Sequence, residues 1–312
     1  MANILAVFGA TGNQGGSVIR AVLADPVLSK SFKIRAITRD ATTPSSQDLV
    51  KQGVEVITAD MNSKSSLAKA LEGTHSVFLV TLPDFVTPPN EGTELDRGKN
   101  VADAAKDAGV QHVIFSSLIN VTEASNGRLP HVVHFDRKAD IEQYIRSQGT
   151  PATFIQPGYY MSNFTNLQLL RKGEDGTYTL TGPTSATKAQ LPLFFPEDDM
   201  GKYVVAALKN RDKVLGKQIP AASDYYTLTR IMDEFREVTG KDGQYVQIDQ
   251  DVYKSFLPPP IAQEILENEV LCEDPGFFAG ASLIDGHELL AVVGLTPTTW
   301  KEYLQSRKEL FV

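Results

Sequence analysis

The stretch Ile4 to Gly16 reads ILAVFGATGNQGG, five apolar residues running straight into Gly9, Gly12 and Gly15. This pattern predicts a buried strand, a tight turn and the start of a helix over Gln14 to Leu23. The first glycine lets the chain turn where the strand ends. The second removes a side chain that would hold a pyrophosphate off the backbone, and the third lets the helix lie close on the sheet. The exposed amides of Thr11, Gly12, Asn13, Gln14 and Gly15 then face phosphates. The other reading is a loop that merely needs flexible glycines.

Working outward, strand-like and helix-like stretches alternate as far as Gln156. Strands are expected at Lys33–Thr38, Val54–Thr58, Ser76–Val80, Val113–Ser116 and Ala152–Gln156. Helices are expected at Ser45–Gln52, Ser65–Leu71, Thr93–Ala108 and Phe135–Arg146. The alternation predicts parallel strands joined by crossover helices, a doubly wound α/β sheet covered on both faces. The clearest helix is Thr93–Ala108, where Leu95, Val101, Ala102, Ala105 and Ala108 favour one side and Gly109 ends the run.

The ends of these strands carry the chemistry. Arg39 is the first residue beyond the second strand, where an acidic residue would favour NAD; a guanidinium there pairs instead with a 2′-phosphate, which points to NADP(H). Asp40 serves a ribose or caps the following loop, and Asp60, after the third strand, approaches adenine or caps a helix. At the end of the fourth strand Thr81 and Leu82 precede Pro83, which stops the strand and sends a loop over the carboxyl edge. Ser116 and Ser117 follow the fifth strand; a hydroxyl there orients a nicotinamide or a substrate carbonyl, or else caps a turn. In HVVHFDRKADIEQYIR, His131 to Arg146, Lys138 stands one helical turn beyond His134. Lys138 is the candidate for the nicotinamide ribose hydroxyls against a solvated helix charge, and His134 the candidate proton donor against a structural histidine.

Composition limits the alternatives. The 312 residues are 42% hydrophobic, enough for a large core in one big domain with a smaller attachment. A net charge of −8 argues against broad attraction to DNA or an anionic membrane. Cys272 alone permits no internal disulfide, and no run approaches the length of a spanning helix. A cytoplasmic location, extending to the nucleus for a regulator, is the expectation. No metal-ligand spacing and no nucleic-acid-binding motif is present, so neither a metal nor direct nucleic-acid contact is expected.

Beyond Gln156, Pro157, Tyr159, Tyr160, Met161 and Asn163 form a loop expected to overhang the nicotinamide end, or to pack as a crossover. Leu191–Phe195 would add apolar cleft surface, and Asp198 or Asp199 would cap a helix over Met200–Leu208. The expected division is 1–156 for cofactor binding and 157–312 for a smaller cleft-closing domain, with about 198–250 returning to the first. Further elements are expected at Ile231–Thr239, Gln244–Ile248, Val252–Phe256, Ile261–Val270 and Trp300–Ser306.

In this order GATGNQG (Gly9–Gly15), Arg39, VADAAKDAGVQHVIF (Val101–Phe115), Ser116-Ser117, HFDRK (His134–Lys138), PGYYMSNF (Pro157–Phe164) and DDMG (Asp198–Gly201) resemble the NmrA-like branch of the atypical short-chain dehydrogenase/reductases. The resemblance implies an NADP-preferring Rossmann domain, Lys138 near the nicotinamide, and a smaller C-terminal part closing the cleft. His134 stands where the wider superfamily carries its active-site tyrosine. Imidazole does not replace phenolate as a base beside a lysine, so two functions follow: a reductase of a small molecule that works without that tyrosine, or a redox sensor acting through a regulatory protein. A monomer or homodimer is expected.

Overall fold

The computed structural model describes residues 2–84 and 93–311. Six strands arise in the first half: β1 (Asn3–Val7), β2 (Phe32–Thr38), β3 (Glu55–Thr58), β4 (Ser76–Leu79), β5 (His112–Ser116) and β6 (Ala152–Pro157). The second half supplies β7 (Tyr159–Tyr160), β8 (Leu170–Lys172), β9 (Tyr178–Gly182), β10 (Gln190–Phe194), β11 (Gln218–Ala221), β12 (Tyr225–Thr227) and β13 (Gly243–Gln247). The main sheet has seven strands in the order β3-β2-β1-β4-β5-β6-β11, every adjacent pair parallel. The order reverses direction beside β1, so the crevice at the carboxyl ends of β1 and β4 is where a dinucleotide fold receives its ligand. This is a Rossmann-type sheet.

The strand cores are aliphatic because both faces are covered: Leu5, Val7, Ile34, Ala36 and Ile114 pack on one side, Ala6, Phe8, Val77, Leu79 and Phe115 on the other. Helix Glu94–Asp107 starts in a capping box between Thr93 and Asp96. It crosses helix Val133–Ser147 at Gly98, where an added Cβ would lie 2.5 Å from Ile141. That close crossing brings the first turn of one helix onto the middle of the other.

Two three-stranded sheets, β12-β10-β7 and β13-β9-β8, make the smaller part. The chain does return to the main sheet after β10, through helix Asp199–Lys209 and β11, but β12, helix Leu228–Thr239 and β13 lie with the small sheets. Helix Ile284–Ala291 also packs on β11, where an added Cβ at Gly286 would lie 2.3 Å from the Pro220 carbonyl oxygen. Gly201 fits the helix against Ser17: a Cβ there would sit 2.4 Å from the Ser17 carbonyl oxygen, and Ser17 Oγ accepts from Gly201 N at 2.9 Å while donating to the Asp198 carbonyl at 2.8 Å.

The capping expectation at Asp198 and Asp199 is corrected. No side chain caps helix Asp199–Lys209. Asp199 is instead fully buried and pairs with Lys202 at 2.8 Å and Thr298 N at 3.1 Å, and Asp198 reaches Lys202 at 2.7 Å. No helix among the described residues is long and apolar enough to cross a membrane.

Candidate cofactor site

The glycine loop has the geometry its sequence requires. Gly9 adopts φ +62°, the left-handed region that favours glycine, immediately after the strand. A Cβ on Gly15 would lie 2.3 Å from the Gly9 carbonyl oxygen, so only glycine lets helix Asn13–Ala24 approach β1 this closely. Gly12 is the N-cap, with no side-chain acceptor bonded to the helix end and no acidic residue in its first turn. Thr11, Gly12 and Asn13 are exposed. The result is an exposed, positively polarised helix end with no acidic side chain in its first turn.

Around that end the other expected groups separate into two kinds. Arg39 is exposed directly past β2. Asp40 closes a local turn: the Thr42 hydroxyl and amide bond its carboxylate at 2.6 and 2.7 Å and hold it below the usual carboxylate range. Asp60 likewise accepts from Asn62 N at 2.9 Å and Asn62 Nδ2 at 3.1 Å, which is turn chemistry. Leu82 is exposed, and its carbonyl accepts from Arg97 at 3.1 Å. The loop that Pro83 sends across the edge runs into 85–92, outside the described residues.

Lys138 is buried at this edge. Its ammonium donates to the Thr81 carbonyl at 3.0 Å and hydroxyl at 3.1 Å and forms an ion pair with Glu94. Thr81 Oγ1 donates to the same Glu94 oxygen at 2.6 Å, whereas Glu94 Oε2 is buried without a hydrogen-bond partner. Glu94 was not singled out from sequence. The signal was present: it lies seven residues before Val101, so a carboxylate occupies the helix's buried stripe.

His134 and Lys138 bond different partners. The His134 amide and Nδ1 both bond Glu264 Oε1, at 2.9 and 2.6 Å. One turn earlier His131 bonds Glu267 in the same way, amide to Oε2 at 2.8 Å and Nδ1 to Oε1 at 2.6 Å. Two histidine–carboxylate pairs thus tie the start of helix Val133–Ser147 to helix Ala262–Leu271. Nothing local in the sequence announces partners 130 residues away.

Four further expectations are corrected. Ser117 Oγ donates to buried Glu142 at 2.6 Å, and Glu142 also takes Arg146 and Gln218, so this hydroxyl belongs to a structural network and is not offered to a nicotinamide. Tyr159 turns into the smaller part, its hydroxyl on Glu269 at 3.2 Å and its ring against Phe164 and Phe277. It is Tyr160, on the opposite face of β7, whose hydroxyl accepts from Gln14 in the glycine-loop helix; alternation along the strand separates the two. Pro157 is buried beside Ala221, and Leu191, Leu193 and Phe195 belong to the buried core of the smaller part, Leu191 also lining a narrow cleft at Glu269. Among the described residues no group of histidine, cysteine and carboxylates could hold a metal.

The sheet order, the switch point and the exposed glycine-rich helix end define a Rossmann-type fold of the dinucleotide-binding class. Residues 1–304 match the NmrA-like family, and the chain belongs to it. It is 34% identical over 269 residues to the NmrA-like family domain-containing oxidoreductase malD of Malbranchea aurantiaca, covering 83% of this chain and 78% of that one. The himF oxidoreductase of Aspergillus japonicus is 28% identical over 293 residues, 91% of this chain and 84% of the relative. Among solved structures, the negative transcriptional regulator Nmra in complex with NADP superposes with a TM-score of 0.81 at 23% identity, covering 99% and 96% of the two chains. The Citrobacter sp. triphenylmethane reductase complexed with NADP(H) gives 0.75 at 26% identity over 97% and 99%.

Proposed function

We propose that this protein binds NADP(H) and is an NADPH-dependent reductase of a small organic substrate. The observation that carries the reading is the open helix end at Gly12, backed by Gly9 and Gly15 and flanked by exposed Arg39. Oxidoreductase relatives and NADP-complexed neighbours support it. The residues fit the cofactor: amides without a competing carboxylate suit the pyrophosphate, and with Asp40 occupied by its own turn Arg39 is the group that selects a 2′-phosphate.

When bound, NADPH supplies a hydride. Lys138 offers the cation for ribose hydroxyls, in exchange for part of its bonding to Thr81 and Glu94. His134 replaces the tyrosine as the proton-carrying group, with Glu264 fixing the ring through Nδ1.

Calorimetry with NADPH and NADH tests the cofactor assignment. NADPH should bind more tightly, and Arg39→Ala should remove about 1–3 kcal/mol of that preference; equal affinities in the unaltered protein reject it. Turnover on a panel of carbonyls and quinones tests the reductase reading, with His134→Phe lowering kcat more than cofactor affinity.

A second reading, a redox sensor, is favoured by the two histidine–carboxylate pairs, which join the helix bearing Lys138 to helix Ala262–Leu271 of the smaller part. A sensor would show no turnover but a partner affinity that differs between NADPH-bound, NADP-bound and empty protein.

A further inference from the structure

The smaller part contains a carboxylate that its own fold does not neutralise. Glu269, on helix Ala262–Leu271, faces a narrow cleft lined by Tyr159, Phe164, Leu191, Tyr245 and Tyr253. Its hydrogen-bond partner among the described residues is the Tyr159 hydroxyl, and no lysine, arginine or histidine among them pairs with it. The charged or titratable groups around it are Tyr159, Tyr245, Tyr253 and Cys272, none of them cationic. Protein encloses the carboxyl except where it opens onto the cleft, and this burial pushes it up to about 7. Ionising an acid in apolar surroundings without a counterion costs free energy, so a cation entering the cleft would be held by the carboxylate it stabilises.

The cleft defines that partner. Aromatic faces around one carboxylate favour an organic cation, which gains both the ion pair and the ring quadrupoles. A metal ion would need further ligands, and the described residues hold no such group. The free space is about 20 Å³, room for a single water-sized group, so a charged nitrogen enters while the body of the molecule stays outside. We propose that Glu269 and its tyrosine-lined cleft bind the protonated amine of an organic ligand. The amine site does not depend on the reductase reading.

The test compares benzylammonium with benzyl alcohol, similar in shape but neutral, by calorimetry on the full chain at pH 7. The amine should bind at least about tenfold more tightly, a factor set by one charge-assisted contact. Binding should also release about half a proton, because the cation draws Glu269 into its ionised form. Glu269→Gln should abolish both the preference and the proton release, with melting and circular dichroism confirming its fold. Tyr159→Phe, which removes the hydroxyl competing for the carboxylate, should keep the preference. Equal binding of amine and alcohol, or a preference that survives Glu269→Gln, overturns the proposal. NADPH is titrated separately: amine selectivity without NADPH binding rejects the reductase and leaves the cleft, whereas NADPH binding without amine selectivity rejects only the cleft.

Discussion

The half built on the seven-stranded sheet and the half built on the two small sheets bury different side chains and treat buried charge differently. The large sheet is packed with leucine, valine, isoleucine and alanine, and its helices come close through Gly15, Gly98 and Gly201. The smaller half relies on rings: Trp300 stacks on Tyr303, and Phe164, Tyr226, Phe235 and Phe277 fill the rest. Its sheets have three strands each, so bulky side chains supply the buried area that such small sheets cannot. The first half neutralises its charges internally, Lys138 with Glu94 and Arg35 with Glu55, whereas the second leaves Glu269 without a cation. Rigid positioning belongs to one half and an unfilled binding capacity to the other.

This contrast is broken if the two carboxylates respond alike to neutralisation. Glu94→Gln strands the buried Lys138 ammonium and should destabilise the protein by about 3–5 kcal/mol in urea unfolding at pH 7.

Glu269→Gln should act in the opposite sense. The native state keeps a proton on Glu269 up to about 7, while the unfolded chain releases it near 4.5. Its contribution therefore falls as pH rises between those values, by up to about 3 kcal/mol. The unfolding free energy of Glu269→Gln minus that of the unaltered protein should grow by that amount from pH 4.5 to pH 7. The difference removes the opposing effect of His112, whose burial lowers it from 6.5 to about 3, so that its contribution to stability rises with pH. A flat difference would show that Glu269 is ionised throughout.

The smallest effect separates two glycines of one loop. Gly15→Ala pushes a Cβ into the Gly9 carbonyl and should cost about 2–3 kcal/mol. Gly12→Ala meets only a 3.3 Å contact and should cost less than about 1 kcal/mol while weakening NADPH binding. Equal losses of stability would remove the distinction between a packing glycine and a binding glycine.

The first half was legible because its signals are local. An apolar run ending in glycine marks β1, and the geometry matches the roles read for Gly9 at the turn and Gly15 at the helix–sheet contact. Lys138 was found through its helical offset from His134. What escaped was set by distance in the chain: Glu94, Glu264 and Glu269 acquire their meaning from partners brought together by the fold. Tyr159 and Tyr160 look equivalent in sequence, and only the alternation of β7 sends one to the core and the other to Gln14. β8, β9 and β11 also escaped, because three to five residues hold too little periodicity to separate strand from loop.

The contact between Gly201 and Ser17 has a consequence for the growing chain. When Gln156 has been synthesised, six strands of the large sheet exist, yet helix Asn13–Ala24 still lacks the helix that will lie across it and β6 still lacks its outer neighbour. Both arrive only with residues 199–221. The nascent cofactor-binding half must therefore wait with apolar surface and an open strand edge exposed to the cell, and it is most prone to stick to other chains during that interval.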